Sequence, residues 1–145
     1  MSRVDFYVLP GGLSAERFAC AMADKACRRG FQIYVHTASR LDALNLDELL
    51  WTFKDISFLP HRLHDAENEG SAVTVGWDGR LPEPAQVLIN LTRAIPEFAA
   101  NFERIIEAVV PETALRDEAR ERYRRYRELG FELHSHEIDS DDAEF

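Results

Sequence analysis

The 145-residue sequence has no apolar run of 18 or more residues, so nothing in it reads as a membrane-spanning helix. The amino terminus enters directly into VDFYVL without a basic segment ahead of an apolar stretch. No secretory signal is expected, and the chain is expected in the cytoplasm. Only Cys20 and Cys27 carry thiols, on what reads as one helix, about 10 Å apart along its axis at 1.5 Å per residue. That separation is too long for a disulfide, and both are expected as small core residues in a reducing compartment. Positive charge is also scarce: 17 Lys and Arg stand against 26 Asp and Glu, a formal net charge of −9. Phosphate-backbone affinity needs clustered cations in positive surroundings, so general nucleic-acid binding is disfavoured and any anion site must be local.

Catalytic signatures are missing as well. The turn after the first expected strand, LPGGLSAER, has two glycines but matches neither G-x-x-x-x-G-K-[ST] nor G-x-G-x-x-G, which argues against nucleotide there. No Ser or Cys sits in a nucleophile elbow. His61, His64 and Asp65 lie in HRLHD, and His134 and His136 form a second pair. A zinc site needs three or four converging ligands, so these pairs read as loop or strand decoration, with a metal-dependent hydrolase as a remote alternative. No catalytic residue, metal or cofactor is expected.

What is present is enough apolar character, 46% of residues, for the core of a single domain spanning residues 1–136, followed by an acidic tail at 137–145. Val4 to Leu9 reads as a buried strand, and Ser14 as the N-cap of a helix that Gly30 stops, with Leu13 and Phe18 as a hydrophobic staple. FQIYVH, 31–36, is the next strand, so the unit is β-α-β with parallel strands and a right-handed crossover. A second helix runs from about Ser39 to Phe53, and the loop after it carries FLPHRL. Further strands are expected at AVTVGW, 72–77, and QVLINL, 86–91. IPEFAANF reads as a short helix and RIIEAVV as a strand ending at Pro111. A long helix follows from about Glu112 to Leu129, closed by Gly130, and FELHSH reads as a last edge strand.

Two stretches read as binding surfaces. In EARERYRRYRELGF, 118–131, arginine occurs five times and lysine never. Helical spacing puts Arg116, Arg120, Tyr123 and Arg127 on one stripe with Arg124 beside it, while Leu115, Ala119, Tyr126 and Leu129 face elsewhere and can bury against the sheet. Either the arginines are a solvated face paired with Asp117, Glu118, Glu121 and Glu128, or they bind a ligand with negative charge and an apolar end, since the guanidinium fork suits carboxylates. The second stretch is LDELLWTFKDISFLPHRL, 46–63. Phe53 is read as core; Trp51 and Phe58 are either core or the aromatic centre of a protein interface.

Taken together, FYVLPGGLSAERF, DELLW, SFLPH, VLINL and ARERYRRYRELGF resemble the chi subunit of the bacterial DNA polymerase III holoenzyme, over nearly the whole chain except the acidic tail. The resemblance implies a non-catalytic clamp-loader accessory with a three-layer Rossmann-like α/β fold. Its central sheet would be mostly parallel, with helices on both faces and no working nucleotide loop. Chi proteins bind the acidic C-terminal tip of single-stranded DNA-binding protein, which ends in Phe. That tip would dock at Val110, Arg116, Arg120 and Tyr123, with Arg124 and Arg127 extending the stripe. The psi subunit of the clamp loader would bind at Trp51, Phe58 and Pro60, a surface some chi proteins use for a repair helicase. The competing reading is direct single-stranded nucleic-acid binding with Tyr123 stacked on a base. The tail EIDSDDAEF repeats an acidic-then-Phe pattern through Asp141, Asp142, Glu144 and Phe145, and is either a solvated terminus or a pseudo-ligand for the arginine helix.

Overall fold

The computed structural model describes residues 2–52, 61–63, 73–78, 81 and 85–138. Seven strands among them make one sheet: β1 Arg3–Val8, β2 Ile33–His36, β3 His61–Leu63, β4 Val73–Gly76, β5 Val87–Asn90, β6 Arg104–Val109 and β7 Glu132–Glu137. Their order across the sheet is β3-β4-β2-β5-β6-β1-β7, and every pairing is parallel. Strands buried on both faces read as continuous apolar runs, and β4 and β5 are buried at every position.

Helices α1 Ala15–Arg28 and α2 Arg40–Thr52 cover one face, and α3 Thr113–Glu128 covers the other, which gives the three-layer α/β architecture anticipated from the sequence. Ser14 caps α1, its Oγ accepting from the Arg17 amide at 3.1 Å. Leu13 packs into the same core cluster as Phe18. Both α1 and α3 stop at a glycine with positive φ, Gly30 at 87° and Gly130 at 91°, the left-handed C′ position where a Cβ is strained. Phe31 and Phe131 amides then reach back to the carbonyls of Ala26 and Tyr126. The first βα turn is closed by the Leu13 amide donating to the Pro10 carbonyl.

Three local expectations are corrected. The FLPHRL loop contains strand β3 at His61–Leu63, and a strand of three residues is too short to show a period. The short helix expected in IPEFAANF is confined to one 3-10 turn, Ala99–Asn101, whose Ala99 and following Phe102 fill the core under α3. Leu129 does not bury against the sheet: α3 has ended before it, and it is 52% exposed. Cys20 is buried in the core and Cys27 packs against it.

The unit that places the arginine helix is β6-α3-β7. The chain rises through β6, crosses over β1 along α3, and returns as β7 on the far side of β1. Ala119 and Tyr126 pack with Val4, Phe6 and Ile105 from below.

Candidate functional site

Periodicity decides which side of α3 meets solvent. Positions 115, 119, 122 and 126 follow a four-three-four spacing. Ala119, Arg122 and Tyr126 are buried and Leu115 half-buried, so the rest of the helix surface, beginning with the flanking stripe, faces outward. On it Arg120, Tyr123, Arg124, Arg127 and Glu128 line an open groove of about 490 Å³. Tyr123 is the half-buried floor: its ring meets Phe6 edge-on, centroids 5.1 Å apart at 60°. Arg127 lies over the same ring, Cζ 5.6 Å from its centroid. The groove thus combines an aromatic base with a cationic rim.

The rim is only partly neutralised. Arg124 pairs with Glu121 at 2.6 Å and Arg125 with Glu128 at 3.4 Å, while Arg120 and Asp117 stand at the loose distance of 3.9 Å. Both sides of these pairs are more than half exposed, where such contacts are weak and an incoming carboxylate competes readily. Among the described residues, Arg116 and Arg127 have no carboxylate within ion-pair distance. The pairing with Asp117, Glu121 and Glu128 expected of a solvated face is therefore present at Arg120, Arg124 and Arg125. Glu118 instead holds Arg93 of the β5–β6 connection.

The structure brings four of the six residues expected on this surface into one groove: Arg120, Tyr123, Arg124 and Arg127. Arg116 is exposed one turn nearer the start of α3. Val110 is half-buried in a neighbouring crevice of about 380 Å³, formed where the starts of α1 and α3 approach each other, with Ser14, Leu91, Glu112 and Leu115 beside it. Of the second surface, Trp51 falls in the last turn of α2, and Phe58 and Pro60 lie outside the described residues. So do His64, Asp65 and the tail residues Asp141, Asp142, Glu144 and Phe145. Leu41 and Leu44 of α2 are 66% and 38% exposed, and position 51 falls on their helical face.

Two buried polar clusters were not anticipated. Glu107, fully buried in β6, receives Arg122 Nε at 3.1 Å, Tyr126 Oη at 2.7 Å and Asn90 Nδ2 at 2.8 Å. Burial holds its carboxyl above the ordinary carboxylate range, an effect that Arg122, Asn90 and Tyr126 offset only in part. This network anchors α3 to the sheet. Arg122 completes the four-three-four stripe with Leu115, Ala119 and Tyr126, a signal that the arginines on the other sides of the helix obscure. The second cluster, on the other face, surrounds the fully buried Asp5 with Arg3 at 2.9 Å, Arg104 at 2.9 Å and His136 at 2.8 Å. The histidine pair on β7 is used here: His136 meets Asp5 and stacks on Tyr7, and His134 meets Glu132. Among the described residues no three His, Cys, Asp or Glu side chains are placed to hold a metal ion, and no helix is long and apolar enough to cross a membrane.

The family model for the DNA polymerase III chi subunit, HolC, matches residues 1–134. The chain belongs to the chi-subunit family. A protein of Pseudomonas aeruginosa named DNA polymerase III subunit chi is 41% identical over 140 residues, 95% of this chain and 98% of its own length. Proteins of the same name from Haemophilus influenzae and Escherichia coli are 34% and 33% identical, over 92% and 93% of this chain and 95% and 97% of their own lengths. The chi resemblance read from DELLW, SFLPH and ARERYRRYRELGF is borne out, and with the family comes an accessory role in DNA replication.

Proposed function

We propose that this chi-family chain is a non-catalytic adaptor of the DNA polymerase III clamp-loader complex. It binds the acidic C-terminal tail of single-stranded DNA-binding protein through α3, and the psi subunit through a second surface carrying Trp51, Phe58 and Pro60. The observation that carries the first contact is the groove of Arg120, Tyr123, Arg124 and Arg127, where an apolar base accepts a phenylalanine ring and the rim accepts carboxylates. Arg116 and Val110 extend the contact toward the start of α3. Charge-assisted hydrogen bonds to Arg are the strong kind, which lets a chain of net charge −9 hold an acidic peptide at one local site.

Direct binding of single-stranded nucleic acid by the same stripe is less well supported. A phosphate backbone needs clustered cations in positive surroundings, and a chain of net charge −9 offers only this one local stripe. The second contact is supported by the exposed Leu41 and Leu44 on the α2 face shared with position 51, apolar area that a partner would cover. A repair helicase competing for that surface is the alternative partner. The test is co-elution of the purified chain with single-stranded DNA-binding protein, full-length and lacking its last residues. Co-elution with the first alone supports the reading, and equal co-elution with both removes the tail from the contact.

A further inference from the structure

We propose that residues 139–145 of this chain, DSDDAEF, occupy the arginine face of α3 in the absence of a partner and compete with any external acidic peptide. The inference rests on the reading of α3 as an acidic-peptide site and adds its regulation by the chain itself.

Three observations converge on it. Ile138, the last described residue, is 8% exposed in the core cluster on the α1 and α2 face, at the sheet edge beside β1, and its amide donates to the Val8 carbonyl at 3.0 Å. The domain is therefore pinned at the carboxyl end of β1, which pairs with the carboxyl end of β6, Val8 beside Val109, where the chain turns into α3. The segment thus leaves from the end of the sheet at which the arginine helix starts.

That start has no side-chain cap. Glu112 at the N-cap makes no side-chain hydrogen bond to the helix, and the first turn holds no acidic residue. Glu112 already sets one negative charge there, and the amide donors that its side chain leaves uncapped can take a second. Arg116 follows one turn on without a carboxylate partner among the described residues, and Arg120 follows with only Asp117 at 3.9 Å.

The segment supplies the complement: Asp139, Asp141, Asp142 and Glu144 are four carboxylates in seven residues, with the aromatic Phe145 beyond them. Seven residues extend about 23 Å, longer than the roughly 10 Å of helix from Arg116 to Tyr123 that the segment would cover. A tether of this length holds its end at an effective concentration on the order of millimolar, so a tail whose own affinity is roughly a few tenths of millimolar masks the site severalfold without closing it. Salt screens such a contact, so the masking fades as ionic strength rises.

The test compares three chains: the full chain, one ending at Asp139, and a full-length variant with Asp141→Asn, Asp142→Asn and Glu144→Gln. Each is titrated with the C-terminal peptide of single-stranded DNA-binding protein at low and moderate salt. In parallel, a synthetic peptide of residues 139–145 is titrated onto the shortened chain and onto the same chain with Arg120→Ala. The expected result is that the shortened and neutralised chains bind the external peptide roughly threefold to tenfold more tightly than the full chain at low salt, with a smaller gap at moderate salt. Equal affinities at both salts overturn the inference and leave the adaptor reading standing. If no chain binds the external peptide, the adaptor reading fails by itself. The synthetic peptide then decides: binding that Arg120→Ala abolishes supports the tail contact, and no binding overturns it.

Discussion

Arg122 Nε lies 3.1 Å from Glu107 Oε1, so one arginine in the middle of the α3 run points into the protein and ties the helix to β6. The pair is closed to water, with Glu107 fully buried and the Arg122 side chain 10% exposed. Removing one partner of such a pair strands the other charge, a cost of about 3–5 kcal/mol. Arg122→Met or Glu107→Met is expected to destabilise the domain by that amount in urea denaturation. The double variant Glu107→Met/Arg122→Met should lose less than the sum of its single changes. Single variants within 0.5 kcal/mol of the parent, a figure of the order seen for ordinary surface changes, would mean that the pair does not anchor α3.

Acid stability should depend on Asp5. Burial alone would push its carboxyl up, but Arg3 of β1, His136 of β7 and Arg104 of β6 surround it and hold it below the ordinary carboxylate value. A depressed folded value means that the unfolded chain binds the proton first. The stabilisation is therefore complete above the ordinary value near 4 and is lost as the pH falls through the lower folded value. Asp5→Asn should be less stable than the parent at pH 7, and the two should converge toward pH 2 in unfolding free energies measured across that range. Parallel curves would show that the cluster does not stabilise the fold through this charge.

The frame of the molecule was legible because local chemistry and tertiary structure agree in it. Ser14, Gly30 and Gly130 mark helix ends by cap and backbone preference, and the apolar runs around Ile33, Val73 and Val87 suit a sheet covered on both faces. The inward turn of Arg122 was hidden by composition: with arginine at 120, 122, 124, 125 and 127, every side of the helix carries one. Its partner Glu107 stands inside RIIEAVV, where a lone carboxylate between buried Ile106 and Val109 was itself a sign of a buried charge needing a cation. The α3 groove was legible from spacing. The place of Val110 in a separate crevice was not, because it depends on how closely the starts of α1 and α3 approach.

Arg120 sits at the centre of the proposed peptide contact with its side chain 71% exposed and only a loose pair to Asp117. Arg120→Ala should leave the melting temperature nearly unchanged, as exposed pairs add little to stability. It should weaken binding of the single-stranded DNA-binding protein tail by about 1.5–3 kcal/mol, the worth of a hydrogen bond to a charged group. A thermal melt reads the first and isothermal titration the second, and an unchanged affinity would remove Arg120 from the contact.

The second surface predicts a separation of functions. Trp51→Ala or Phe58→Ala should cost the psi interaction upward of about 2 kcal/mol, as for an aromatic hot spot, and leave tail-peptide affinity intact. Leu44→Asp, on the exposed face of α2, should weaken psi in the same assay. A variant that loses both partners together, or that melts the domain, would place its residue in the core instead.

The most direct measurement is a pair of fluorescence titrations of the purified chain, under identical buffer and salt, with the tail peptide of single-stranded DNA-binding protein and with a single-stranded oligonucleotide. If α3 is an acidic-peptide site, the peptide binds, the binding is lost in Arg120→Ala, and the oligonucleotide binds weakly or not at all. Tight oligonucleotide binding that Tyr123→Ala abolishes, with no binding of the peptide, would contradict it.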